Sequence, residues 1–298
     1  MAGMTVRVGI VILPDLPWAR QRERWVRAEQ YGFDHAWTYD HLAWRSLADG
    51  PWFATVPTLA AAATATSTIR LGTFVASPNF RHPVPFAKEV MTLDDVSGGR
   101  LLLGVGAGGL GFDAMVLGDQ PLEPRDRAGR LEEFVGLLDE LLTSPTTTTR
   151  GERYSAVDAR MIPGCVQQPR VPFVIAASGP RLLRLVARYG QGWVTTGATE
   201  GTGGVDGVAA WWDGVRVLSA RLDESMTEAG RDPLDIARYL SLDASGVVAL
   251  GSLEYYRDCV GRADELGFTD VVIHWPREHG VYAADERVLE QVASTELG

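Results

Sequence analysis

Hydrophobic residues fall in two alternating patterns along the chain. Eight short runs are nearly continuous in apolar residues: VRVGIVIL (6–13), HAWTYD (35–40), IRLGTFVA (69–76), LLLGVG (101–106), PFVIAA (172–177), GWVTT (192–196), IARYLSLDA (236–244) and TDVVIHW (269–275). Runs of this length, with little polar alternation, predict strands of a parallel sheet buried on both faces. Between them lie stretches with apolar positions at helical spacing. In RLEEFVGLLDELL, Leu131, Phe134, Leu138 and Leu141 or Leu142 fall on one face. With a last stretch, DERVLEQVAS, eight helices match the eight strands. This alternation predicts an α/β fold, a (β/α)8 TIM barrel, with residues 1–298 as one domain. A doubly wound open sheet is the rival, but the count closes at eight and no second domain composition appears. Residues 143–171 are the least regular part and too long for a plain connection, so they read as an insertion before the fifth strand. The polar run TTGATEGTGGVDG (195–207) reads as a mobile loop after the sixth.

Composition narrows the function classes. The net charge of −10 argues against a nucleic-acid partner, which needs a basic stripe. A hydrophobic fraction of 46% with 22% charged residues is ordinary for a globular protein. The early apolar run VGIVILP is strand-sized, with no charged leader or cleavage site, so a cytoplasmic protein without a membrane partner is expected. Cys165 and Cys259 are far apart and read as reduced and inert. The histidines at 35, 41, 82, 274 and 279 form no HxH or HExxH pattern, so no metal site is expected.

On a barrel of this kind, chemistry sits where strands end and the following loops begin. TYDHLAW (38–44) places Asp40, His41 and Trp44 at such a strand end. The histidine there reads as an acid/base, a metal ligand or a turn residue. Trp44 reads as a flat wall for a ring system or as a core residue. VGAGGLG matches G-x-G-x-x-G, but after the fourth strand and without an immediate helix, which speaks against a dinucleotide fold. Glycines at this rim let a cofactor lie against the backbone. In AASGPRLLRLVARYG, Pro180 suits a first helical turn, and the N–H groups before it make an anion site with phosphate as the natural guest. The plainer alternative is a turn with a serine cap. Arg81, in NFRHP, meets an anion or only solvent.

Three stretches together resemble the bacterial luciferase-like superfamily, and within it the branch that uses the deazaflavin coenzyme F420. They are AEQYGFDHAWTYDHL, STIRLGTFVASPNFRHPVPFAKEVMTLDDVSGGRLLLGVGAG and FVIAASGPRLLRLVARYGQGWV. The resemblance implies a (β/α)8 barrel, an insertion before strand five, a flavin or deazaflavin across the carboxyl rim, and a homodimer built on helices two and three. It implies a cis peptide at Phe74–Val75 behind the ring. Ala107 and Gly108 would line the ring or its side chain, and Ala176, Ala177, Ser178 and Gly179 would hold the cofactor's chain and phosphate. Thr195, at the end of the sixth strand, joins the cofactor-binding set. Asp40 would hydrogen-bond the cofactor, His41 would serve as acid/base, and Trp44 would stand beside the substrate.

Two departures matter. Sugar-phosphate-oxidising relatives carry a glutamate where this chain has Gly109, and a lysine in the loop after strand six, where TTGATEG has none. The expected function is therefore an F420-dependent oxidoreductase acting on a small molecule other than a sugar phosphate. A monooxygenase using flavin mononucleotide (FMN) with a separate reductase, or a non-catalytic flavin- or deazaflavin-binding protein, is the alternative.

Overall fold

A computed structural model describes residues 6–198, 201 and 203–297. Eight strands form the barrel expected from the apolar runs: β1 (Arg7–Val11), β2 (His35–Thr38), β3 (Arg70–Thr73), β4 (Leu101–Val105), β7 (Phe173–Ala176), β8 (Gly192–Thr195), β9 (Ala237–Ser241) and β10 (Asp270–His274). They close in the order β1-β10-β9-β8-β7-β4-β3-β2, and every described pairing between them is parallel. β2, β4, β8 and β10 are buried along their whole length, as their unbroken apolar runs require. Eight helices alternate with them: α1 (Trp18–Gln30), α2 (Thr55–Ala65), α3 (Pro83–Val96), α4 (Pro124–Thr143), α5 (Pro180–Tyr189), α6 (Gly204–Glu228), α7 (Leu253–Glu265) and α8 (Glu286–Glu296).

Contacts group the chain into two compact units. One is drawn from Met1–Leu13, Val26–Trp37 and Ala177–Gly298, the other from Pro14–Trp25 and Thr38–Ala176. In the first, β1 sits between β2 and β10. Gly9 of β1 is adjacent to the His35 ring: a Cβ there would lie 1.8 Å from His35 Nδ1, so only glycine leaves room for that ring. The ring in turn meets Asp270, which also accepts from Arg7 at 2.6 and 2.8 Å.

In the second unit, α4 buries Leu131, Phe134, Val135, Leu138, Leu141 and Leu142, the face set by its helical spacing. α3 starts at Pro83, with His82 as its cap accepting from Val84 N at 3.2 Å. The insertion is more regular than its sequence suggests. It contains an antiparallel hairpin of β5 (Thr146–Arg150) and β6 (Ser155–Arg160). Thr147 is the buried residue of β5 and Ala156 that of β6, so the hairpin carries almost no hydrophobic signature.

Thr199, Glu200 and Thr202, within the loop expected to be mobile, lie outside the described residues. Among the described residues, no helix is long and apolar enough to cross a membrane. Both cysteines are free and buried. Burial pushes the Cys259 thiol up to about 12, which suits an inert thiol.

Candidate active site

At the carboxyl end of β2 the chain leaves the sheet through Tyr39, Asp40 and His41. Asp40 is buried, and Arg81 grips both of its oxygens, Nε donating to Oδ2 at 2.6 Å and Nη2 to Oδ1 at 2.7 Å. Arg81 also donates to Glu89 at 3.0 Å and lies over the Phe86 ring. Burial alone would lower the pKa of Arg81, but its hydrogen bonds and attraction to Asp40 raise it overall. Arg81 is therefore neither a solvent-facing residue nor a free anion receptor: it fixes the acid beside His41.

His41 stands one residue on, with 29% of its side chain exposed. Its Nδ1 lies 2.5 Å from Asp113 Oδ2, and its carbonyl accepts from Trp52 Nε1 at 2.8 Å. Asp113 Oδ1 accepts from Leu42 N at 2.8 Å. Among the described residues, no hydrogen bond or ion pair reaches the other ring nitrogen, Nε2. Asp113 lies in a short 3-10 turn, Phe112–Ala114, after β4.

Aromatic rings wall this corner. Tyr39 packs edge-on against His41 with ring centres 5.9 Å apart, against Trp44 at 5.1 Å, and in a stack on Phe74 at 6.5 Å. Trp44 stacks on Trp52 and is itself buried. Trp44 is thus one layer behind His41 through Tyr39.

The end of β3 supplies the second part of the site. The Phe74–Val75 peptide is cis. Phe74 is buried and its N–H donates to Thr38 O at 2.8 Å. Val75 is the one half-exposed residue between Leu71 and Pro78. Its side chain lies over the glycines of β4. A Cβ at Gly106 would come within 2.8 Å of Val75 Cγ2 and 3.2 Å of Ala176 Cβ. Gly108 has φ +76, and a Cβ there would strike Asn79 at 2.6 Å. Ala107 and Gly108 are half-exposed and Gly109 is exposed. The result is a strip of backbone, Gly106 to Gly109, that carries no side chain of its own larger than the Ala107 methyl, with Val75 and Ala176 packed on Gly106 and Asn79 on Gly108.

The glycine run is followed by a 3-10 turn, and the next helix begins only at Pro124, so no dinucleotide-type helix follows it. Asn79 ties this strip to α4: its Nδ2 donates to Gly109 O at 3.3 Å, and Arg130 Nη2 donates to its Oδ1. Burial, with repulsion from Arg153 and Arg127, lowers the pKa of Arg130.

The remaining expected residues belong to the first unit. Ala177 is buried and its carbonyl accepts from Trp193 Nε1 at 2.9 Å. Ser178 and Gly179 are exposed ahead of α5. The cap of α5 is Gly179, not a serine, and no side chain caps that end among the described residues. Thr195 is buried at the end of β8, its hydroxyl accepting from Gly197 N at 3.1 Å.

Two partners went unsignalled in the sequence, Asp113 on His41 and Asn79 on the glycine strip, while Arg81, expected to meet an anion or solvent, meets the Asp40 carboxylate. The only available signal was position, since all three lie in loops that follow strands. Their pairings span 72, 30 and 41 residues, beyond any local pattern.

The family model described as luciferase-like monooxygenase matches residues 6–245. Relatives by sequence include the F420-dependent glucose-6-phosphate dehydrogenase of Amycolatopsis mediterranei (strain U-32), 37% identical over 174 residues, covering 57% of this chain and 51% of that enzyme. The enzyme of the same description from Intrasporangium calvum is 32% identical over 280 residues, covering 90% of this chain and 77% of its own. Over the first match the chain spans about half the length of its relative. Among solved structures, the coenzyme F420-dependent tetrahydromethanopterin reductase from Methanopyrus kandleri superposes with a TM-score of 0.75 at 20% identity, covering 97% of each chain, a likeness of fold.

Proposed function

Since the chain belongs to the luciferase-like monooxygenase family, we propose that it is an F420-dependent oxidoreductase acting on a small organic substrate, with His41 as acid/base. The observation that carries this reading is a chain of contacts: His41 packs on Tyr39, Tyr39 stacks on Phe74, and the side chain of the next residue, Val75, lies against Gly106 at the start of the Gly106–Gly109 strip. A flat heterocycle needs a surface with few protruding side chains, and a strip whose own largest side chain is the Ala107 methyl supports that reading.

Phe74, Val75, Ala107, Gly108 and Ala176 would line the ring. Within the first unit, the uncapped start of α5, with Ala177, Ser178 and Gly179, suits a phosphate, and Thr195 is that unit's other expected cofactor-binding residue. Asp40 keeps lone pairs for one further donor although Arg81 uses both of its oxygens. When bound, the deazaflavin would accept or donate a hydride. His41 would take or give the accompanying proton at Nε2, a contribution of about 10²–10⁴-fold.

Glucose 6-phosphate is not carried over from the relatives, because Gly109 stands where an acid would be needed and residues 195–201 contain no lysine. The reading includes a cytoplasmic homodimer built on α2 and α3, which light scattering on the purified protein would test.

A binding titration comparing F420 with FMN by fluorescence quenching tests the cofactor. Tighter binding of F420 is expected. Tighter FMN binding, with oxygen consumed when reduced flavin is supplied, would replace this reading with the monooxygenase that the family description favours.

A further inference from the structure

We infer that Asp113 is the positioning residue for His41, holding its imidazole with the proton on Nδ1 and Nε2 turned out as the proton-handling atom. The inference rests on the acid/base reading of His41 and extends it to a residue from a different strand's loop.

Asp113 is buried against the trend of its own segment. In the segment around it, Leu110, Phe112, Met115, Val116 and Leu117 are each more than half exposed, while Asp113 is 3% exposed. The apolar residues point out and the acid points in, the reverse of what burial of hydrophobic surface would produce. A carboxylate turned inward needs hydrogen bonds to offset its desolvation. Those described for Asp113 are to His41 Nδ1 at 2.5 Å and to Leu42 N at 2.8 Å.

An ionised carboxylate only accepts, so the proton in the His41–Asp113 contact sits on Nδ1. The neutral ring then has its lone pair on Nε2, the nitrogen that no described residue hydrogen-bonds, on a side chain that is 29% exposed. Because Asp113 grips the backbone of residue 42 with its other oxygen, it fixes both the direction of the ring and its tautomer. The same carboxylate stabilises the imidazolium once Nε2 has taken a proton. Atoms balance: the proton gained at Nε2 is the one lost by the substrate, and the Nδ1 proton stays in place.

The geometry also fixes what an amide would do. In Asp113→Asn, the Leu42 N–H still requires the side-chain oxygen, so the amide N–H group faces His41 Nδ1. Nδ1 must then accept, and the ring proton moves to Nε2.

The test is long-range 1H–15N correlation spectroscopy on protein with 15N-labelled histidine, the His41 signals assigned by their loss in His41→Ala. In the wild-type protein the neutral His41 ring is expected to carry its proton on Nδ1. Asp113→Asn is expected to switch it to Nε2, and to lower turnover by about 10²–10⁴-fold with the F420 Kd unchanged. Asp113→Glu, which keeps a carboxylate, is expected to retain the Nδ1 tautomer and restore part of the turnover. A wild-type ring protonated on Nε2 would overturn the inference without any variant, and so would an unchanged tautomer in folded Asp113→Asn. If Asp113→Asn does not fold, the wild-type spectrum and Asp113→Glu decide. Full turnover in His41→Ala would instead remove the acid/base reading itself, whatever the spectra show.

Discussion

His35 and His41 lie six residues apart, and each meets a buried aspartate from a distant part of the chain. The pairs differ in what the second ring nitrogen does. At His35, Trp37 Nε1 donates to Nδ1 at 2.6 Å while Nε2 lies 3.0 Å from Asp270, and the side chain is 3% exposed. Both ring nitrogens are therefore hydrogen-bonded within the protein. At His41, Asp113 takes one nitrogen and the other opens outward. His274, paired with Asp243 at 2.7 Å with both side chains 1% exposed, sides with His35 in burial. The pairing of histidine with carboxylate therefore does not mark a catalytic group. What sets His41 apart is an anchored ring whose second nitrogen has no hydrogen bond among the described residues.

The sharpest way to break this contrast is to delete each ring. His41→Ala is expected to lower hydride-transfer turnover by about 10²–10⁴-fold with little change in melting temperature. His35→Ala should do the reverse, lowering the melting temperature while the folded fraction turns over normally. Steady-state kinetics and thermal unfolding on both variants check this.

The next effect is on stability. Asp270→Ala leaves Arg7, His35 and Thr269 without their shared acceptor, a loss on the order of 3 kcal/mol in urea unfolding. Burial alone would raise the Asp270 carboxyl pKa, but hydrogen bonds from His35 and Arg7 lower it overall from its ordinary 3.8. A depressed carboxylate stabilises the fold above its unfolded pKa and loses that contribution as pH falls through its folded pKa. The stability gap between wild type and Asp270→Ala should thus be full near neutral pH and close only below about pH 4.

A smaller effect is expected at the glycine strip. In Gly106→Ala the new methyl meets Val75 and Ala176, an overpacking cost of about 1–3 kcal/mol that should appear as weaker F420 binding along with a lower melting temperature. The smallest is Ser252→Ala, which removes the cap that accepts from Tyr255 N at 3.1 Å. It should cost about 1 kcal/mol and leave turnover alone.

The barrel was legible because its signal is local. A strand buried on both faces must be apolar throughout, and a helix on the outside must repeat its apolar face every three or four residues. Each of the eight runs became a strand, trimmed at its ends. The β5–β6 hairpin was not legible, since TTTTR and SAVDAR bury little and show no period. At the site, TYDHLAW and the glycine run drew attention through residue type and position after strands. Asp113 lay in the same class of loop but looked like any loop acid.

The sequence by itself determined the strand and helix count, the parallel sheet and which loops could bear chemistry, because these follow from hydrophobic periodicity over a few residues. Only the tertiary structure decided which aspartate met which histidine, that Arg81 was committed to Asp40, and that one ring nitrogen of His41 stayed open. Those outcomes depend on loops brought together across 41 to 72 residues, and on which side of a ring is left exposed once they have packed.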